Sequence, residues 1–247
     1  MRTSTKCIIA GFVALIISML IYDQQLHSAF VKGTYKIPFS NYTASPISGF
    51  RNINLKSAST INIKIEKGPY RILIEPSAND YAKLKVNGDT LEIETIFPDQ
   101  YHGTSSDFSM YISCPELFSV SSNAYYHMRS REYLDRYASE NFQFRRTTIS
   151  GFTQDSLNVT ATNASNIWLL NNNIKNLQAI IGMDSASASN FYIGENNHFA
   201  QTHIVVRNFG RFYIGDADSG QSFHYTLTDS AQLIISGRAK HILKTLP

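Results

Sequence analysis

Cysteine is nearly missing from this 247-residue chain: Cys7 and Cys114 are the only two. One sits in an apolar N-terminal run and the other in a β-rich stretch, so no bridge between them is expected and no disulfide framework staples the fold. Charge is also sparse, at 17% of residues against a typical quarter. The formal net charge is +3, and without Arg2 and Lys6 the remaining 20 basic residues face 19 acidic ones. That balance lacks the basic stripe that nucleic-acid binding requires, so no nucleic-acid partner is expected. No cofactor fingerprint and no catalytic motif stands out.

The N-terminus is the first positive signal. Sixteen residues, Cys7 to Tyr22, carry no charge and come after Arg2 and Lys6. A helix of that length spans roughly 24 Å, a little short of a hydrocarbon core of roughly 30 Å. Residues 1–22 therefore read as a signal peptide or an uncleaved signal anchor, with the membrane as a partner through this segment. The basic flank puts the chain beyond about residue 23 on the exported side, periplasmic or cell-surface. Residues 23–48, with Pro38 and Pro46, read as a linker.

From Phe50 the pattern alternates. Ile61-Asn-Ile-Lys-Ile-Glu and Tyr70-Arg-Ile-Leu-Ile-Glu have the two-residue period of half-buried strands, separated by Lys67-Gly68-Pro69. Ala82-Lys-Leu-Lys-Val and Leu91-Glu-Ile-Glu-Thr-Ile flank Asn87-Gly88, the strongest short hairpin signal. Together these predict an N-terminal β-meander. Residues 98–113 read as a loop, and Phe118–Ser122 as a strand. Residues 125–146 hold five arginines and six aromatics and read as an insertion. The spacing of Arg129, Tyr133 and Tyr137 predicts a short helix across 128–138.

Beyond Thr147 charge almost disappears. Only Asp155, Lys175, Asp184 and Glu195 are charged as far as Val206, while ten asparagines lie between Asn158 and Asn197. Four segments repeat here: Ile167-Trp-Leu-Leu, Phe191-Tyr-Ile-Gly, Phe212-Tyr-Ile-Gly and Leu233-Ile-Ile-Ser, starting 24, 21 and 21 residues apart. Each has an upstream apolar partner: Leu157-Asn-Val, Leu177-Gln-Ala-Ile-Ile, Ile204-Val-Val or Phe223-His-Tyr-Thr-Leu. Two short strands per unit of roughly 21 residues suit a stack of rungs that buries a column no single rung could bury. The expected fold is all-β: the meander continues into a right-handed β-helix or solenoid-like stack, forming one domain over 49–247 after the N-terminal hydrophobic helix.

Within the repeat, Ile167, Phe191, Phe212 and Leu233 form one inward column and Leu169, Ile193, Ile214 and Ile235 the next. Asn163, Asn208 and Asp229 occupy corners that need left-handed backbone. Gly194, Gly215 and Gly237 mark the following bend. Between the inward columns, Trp168, Tyr192, Tyr213 and Ile234 face outward, and Trp168, Tyr192 and Tyr213 are the candidate ligand or partner surface. A covering layer, such as the insertion, is the competing reading. His203 and His224 fall one rung apart, but no third ligand is in register, so no metal is expected. Asp216 and Asp218 are the only close acidic pair in the repeats.

The stretch from Gly49-Phe-Arg-Asn-Ile-Asn-Leu through Ile61-Asn-Ile-Lys-Ile-Glu-Lys-Gly, Asn87-Gly-Asp-Thr-Leu-Glu-Ile and the Ser-Ala-Ser rungs resembles the auto-transporter adhesin head (GIN) domain family of Bacteroidetes-type bacteria. The resemblance covers roughly residues 49–238 and rests on pattern and order. It implies an exported, right-handed β-helix-like domain and, by the family's name, adhesion; it transfers no active site. The corners use Asn, Ser and Ala where the family favours glycine, and the Arg/Tyr insertion is a further departure. With no C-terminal barrel after the last rung, a self-sufficient autotransporter is not expected. The leading expectation is a non-enzymatic envelope protein, structural or adhesive, meeting a glycan or an envelope protein. A carbohydrate-binding module on the outward row is the alternative, and a polysaccharide lyase or hydrolase comes third.

Overall fold

The computed structural model describes residues 3–33, 37–98, 108–138, 145–216 and 221–239, and it divides into two compact units, 1–41 and 42–247. Among its described residues the first unit holds one helix, α1 (Thr3–Lys32), with a stretch of mean hydropathy 2.1, none of that stretch buried. Thirty residues at 1.5 Å each make roughly 45 Å, so α1 runs well past the apolar run and takes in residues expected as linker. Nothing between Asp23 and Lys32 breaks a helix. Gly33, at φ 66°, ends it by donating its N–H back to the Phe30 carbonyl.

Nineteen strands are described in the second unit. In chain order they are β1 (Thr43–Ser45), β2 (Asn52–Leu55), β3 (Ile63–Lys67), β4 (Arg71–Ile74), β5 (Ala82–Asn87), β6 (Thr90–Phe97), β7 (Met110–Cys114), β8 (Ser119–Ser122), β9 (Tyr125–Met128) and β10 (Arg131–Leu134). Then come β11 (Thr147–Ser150), β12 (Thr153–Ala161), β13 (Asn166–Leu170), β14 (Asn173–Ile181), β15 (Asn190–Ile193), β16 (His198–Val206), β17 (Arg211–Ile214), β18 (Tyr225–Leu227) and β19 (Gln232–Ile235). They build two large sheets. The first has the order β1-β4-β7-β3-β11-β13-β15-β17-β19, the second β10-β9-β6-β2-β8-β12-β14-β16-β18, with β5 paired to β6.

From β11 onward, successive strands alternate between the two sheets and pair in parallel. Ile167, Phe191, Phe212 and Leu233 stand in register, as do Leu169, Ile193, Ile214 and Ile235. Both are the columns the repeat predicts, buried as far as Ile214. The second sheet answers with Val159, Ala179 and Ile204, then Ala161, Ile181 and Val206. Phe191 and Phe212 stack at 5.8 Å between centroids, so the core is continuous from rung to rung.

Asparagine dominates because the chain turns a corner where it passes from one sheet to the other and cannot leave the amides and carbonyls there dry. Asn163, Asn208 and Asp229 have φ of 57°, 57° and 59°, the left-handed geometry expected of them; Asn171 and Asn196 take it at the opposite corner. Beside that second corner lies a buried ladder. Asn172 Nδ2 donates to Ile149 O and Asn197 Oδ1, Asn172 Oδ1 accepts from Phe152 N, and Asn197 Nδ2 donates to Leu169 O and Gly194 O. These amides do for a charge-poor stack what water does at an exposed turn.

The N-terminal half departs from a meander. β3 and β4, adjacent in sequence, are held apart by β7, which runs parallel to β3 and antiparallel to β4. β7 itself, all but Cys114, lies within the span 98–113 expected as a loop. β2 sits between β6 and β8, parallel to both: Ile53 faces Leu91 on one side and Val120 on the other. β3 sits likewise between β7 and β11, where Ile65 meets Ile112 and Ile149. A segment early in the chain is thus wedged between strands later in it, and parallel pairing begins at β2 rather than near residue 150. Local alternation is identical in a meander and in such a stack, so the sequence pattern cannot separate them. The β5–β6 hairpin is as expected, although Gly88 alone holds positive φ (63°) and Asn87 is the last strand residue.

The expected helix at 128–138 is instead the β9–β10 hairpin, turning at Arg129 (φ 51°) and Ser130 (φ 58°). Tyr126 and Tyr133 face each other across it and stack at 5.5 Å, a pairing that helical spacing would forfeit. Residues 135–138 then run as a strap along one corner. Asp135 N donates to Ala124 O, Ala164 N to Asp135 O, Ala188 N to Arg136 O, and Ala138 N to Ala188 O. Ala124, Ala164 and Ala188 are buried beneath it. Alanine fits this corner because a strap backbone packs directly on it.

Candidate ligand-binding face

Trp168, Tyr192 and Tyr213 lie in register on β13, β15 and β17, followed by Ile234 on β19, all on the outer face of the first sheet. Alternation produces this: their neighbours on each strand point into the core. All three rings are half-buried. Trp168 and Tyr192 are 4.6 Å apart between centroids and tilted by 41°. Arg146, from the end of the insertion, sits 4.6 Å over the Trp168 ring and 5.6 Å from Phe108. Such a guanidinium–indole contact orients both groups and carries a positive charge to the start of the row.

In the middle of the row the Tyr192 ring lies against glycine. A Cβ on Gly215 would stand 2.6 Å from Tyr192 Cζ, and one on Gly194 would stand 2.8 Å from Tyr192 Cε1. Neither glycine has positive φ, in contrast to Gly237 at 59°. Both glycines directly follow the last residue of their strand, as the bend reading places them; at Gly215 a side chain would also strike the Tyr192 ring, and at Gly194 it would meet Leu170 Cδ2 before Tyr192.

Burial, then the negative charges of Glu195 and Asp216, push the Tyr192 hydroxyl above the usual phenol range. The phenol thus stays a neutral donor, flanked by two carboxylates. Asp216 also pairs with Arg238 at 3.0 Å. Of the acidic pair expected from sequence, Asp218 lies outside the described residues, and the structure groups Asp216 with Glu195 and Tyr192. A column of amides runs beside the row, where Asn190 Nδ2 donates to Asn166 Oδ1 at 2.7 Å and Arg211 approaches Asn190 Oδ1 at 3.4 Å.

Among the described residues of the insertion, Arg146 is the one that stacks on the row; 135–138 covers the alanine corner instead. His203 and His224 are exposed on the second sheet, and among the described residues no group of three metal-ligating side chains forms. Cys114 is buried and free, and Cys7 is exposed on α1. Arg146, Glu195 and Phe108 were not singled out by the sequence, and only the outward phase of Tyr192 points toward them.

No family model matches this chain, and no curated protein is significantly similar to it. Solved structures are similar at low identity. One is described as a "putative adhesin" from Bacteroides fragilis, at 13% identity over 80% of this chain and 93% of its own, with a TM-score of 0.45. Another "putative adhesin", from Parabacteroides distasonis, shares 12% over 80% and 94%, with a TM-score of 0.33. A third, a "putative lipid binding protein" from the same organism, shares 10% over 79% and 94%, at 0.32. Similarity at this level transfers no residue role and no activity.

Proposed function

We propose that this chain is an exported, membrane-tethered β-solenoid of the GIN type that serves adhesion, and that it meets glycans on the outer face of the first sheet. The observation that carries the reading is the Trp168–Tyr192 row, laid over Gly194 and Gly215 and flanked by Arg146, Glu195 and Asp216. Half-exposed aromatic surface beside fixed hydrogen-bonding groups suits a ligand with apolar ring faces and hydroxyl edges. The strand–strand–strand connections that return to the same sheet favour the right-handed coil, the hand that parallel crossovers adopt almost universally. Helix α1 supports tethering, since it is long and apolar enough to cross a membrane.

A glycan array probed with wild type and Trp168→Ala tests this reading. Wild type should bind a subset of oligosaccharides, and the variant should lose them while keeping its circular dichroism. An array with no bound glycan removes the glycan assignment and leaves an envelope protein partner or a structural role. A hydrolase or lyase reading would rest on Glu195 and Asp216 beside the Tyr192 hydroxyl. Product release from acidic polysaccharides, lost in Asp216→Ala, would replace adhesion by catalysis.

A further inference from the structure

We propose that the cleft beside the strap is an anion pocket for the carboxylate of an acidic sugar, which deepens the glycan reading above and rests on it. The cleft has a volume of about 530 Å³, and its lining includes Leu134–Ala138, Ser59, Arg145, Ala164 and Asn166. That volume falls in the range of small-ligand sites. Two arginines line it, Arg136 and Arg145, against one acidic residue, Asp135. Asp135 acts on the Tyr126 ring as well, where its charge adds to burial in raising the phenol above its usual range. Among the described residues, the Arg136 guanidinium donates to the Ser185 carbonyl alone, at 3.4 Å. The Arg145 guanidinium has no hydrogen bond or ion pair among the described residues.

A second observation points the same way. The Ser59 hydroxyl, from a residue lining the cleft, is buried and has no hydrogen-bond partner among the described residues. A buried donor left open costs stability unless something occupies it. The backbone presenting Arg145 is pinned on both sides: its carbonyl accepts from Asn166 Nδ2 at 2.9 Å, and Arg146 N donates to Asn62 Oδ1 at 2.7 Å. Arg145 is held at φ 59° as a result, a left-handed conformation uncommon outside glycine. The backbone from which the Arg145 side chain leaves is thereby fixed, and the planar fork of a guanidinium matches a carboxylate.

The pocket adjoins the aromatic row. Asn166 lines the cleft and lies two residues before Trp168 on the same strand face, roughly 7 Å away. Arg145 in the cleft precedes Arg146 on the indole. One sugar ring on the row and the carboxylate of its neighbour in the cleft can therefore belong to a single acidic chain.

Calorimetric titration of the full chain in detergent tests the assignment. The probes are glucuronate, galacturonate, an acidic oligosaccharide and its neutral counterpart, against wild type, Arg145→Gln, Ser59→Ala and Trp168→Ala. Wild type should bind the uronates and favour the acidic oligosaccharide, and Arg145→Gln should weaken both by about tenfold or more without touching the neutral one. Ser59→Ala reads the same site should the arginine variant misfold, and should weaken uronates by a smaller factor. Trp168→Ala should weaken both oligosaccharides. Uronate binding unchanged in Arg145→Gln and Ser59→Ala overturns the pocket, as does wild type that does not prefer acid to neutral. Neutral binding lost in Trp168→Ala would then keep the row as the glycan site. Equal displacement by inorganic phosphate would overturn the sugar-carboxylate assignment. Uronates bound through Arg145, with Trp168→Ala silent, would uphold the pocket and remove the row.

Discussion

Tyr192 lies across Gly215, the residue directly after β17 one rung further on, so closely that a Cβ there would stand 2.6 Å from Cζ and 2.9 Å from Cε2 of the ring. An outward aromatic side chain has thus set the identity of a residue 23 positions away in the sequence. Gly215→Ala should destabilise the protein by about 1–3 kcal/mol, the usual cost of overpacking. In a Tyr192→Ala background the same change should cost little, because the clash is gone. Urea unfolding of the four proteins in a double-mutant cycle reads the coupling, and additive effects would contradict the geometry.

The buried amide ladder gives a second expectation. Asn172→Ala removes the side-chain partners of Phe152 N and Ile149 O in a dry corner, at about 1–3 kcal/mol for each group left unpaired, while Asn197 Oδ1 keeps the Asn172 backbone N–H. Asn176→Ala, on the exposed face of β14, should stay within about 0.5 kcal/mol of wild type. Denaturation midpoints that fail to separate the two variants would mean that the ladder is dispensable.

Alkaline pH should weaken the fold. Burial pushes the Cys114 thiol from 9.0 up to about 12, and the Tyr111, Tyr126 and Tyr192 phenols are all raised above 10.0, burial being the largest cause in each. The protonated forms are favoured in the folded state. The associated stability is therefore complete below about pH 9, the ordinary thiol value, and is lost as pH climbs toward 12. Unfolding free energies at neutral pH and at pH 10.5 should show the decline. In native protein a disulfide reagent should leave Cys114 untouched at neutral pH and label it after denaturation.

The wedge of β2 and β3 predicts slow hydrogen exchange near the start of the domain. Amides of Ile53, Leu55, Ile63 and Ile65 lie on strands flanked by partners on both edges, and they should be protected as strongly as those of β13 and β15. Fast exchange at these four positions, with protection confined to β11–β17, would rule out the interleaved order.

Much of the architecture was legible because it is local. Ile167, Leu169 and their counterparts recur on a two-residue period within a longer one, and only stacked strands satisfy both. Asn163, Asn208 and Asp229 announced their left-handed corners through side-chain chemistry. The helix expected at 128–138 failed because Arg129, Tyr133 and Tyr137 fit helical spacing while the Tyr126–Tyr133 pair, seven residues apart, closes only across a hairpin. Neither Arg129 nor Ser130 belongs to the glycine and asparagine pairs that mark such a turn. For the candidate face, outward phase was readable for Trp168, Tyr192 and Tyr213, but their surroundings were not.

The sequence by itself determined strand periodicity, corner positions, the two inward columns and an apolar N-terminal segment, since each arises from the chemistry of near neighbours. Tertiary structure alone decided that residues 52–67 wedge between strands later in the chain. It also decided that Arg146 covers Trp168, that Gly215 yields to Tyr192, and that Arg136 and Arg145 share a cleft. The physical reason is the same in each case: a strand's pattern specifies which face is buried, while its partner edge is chosen by strands far along the chain.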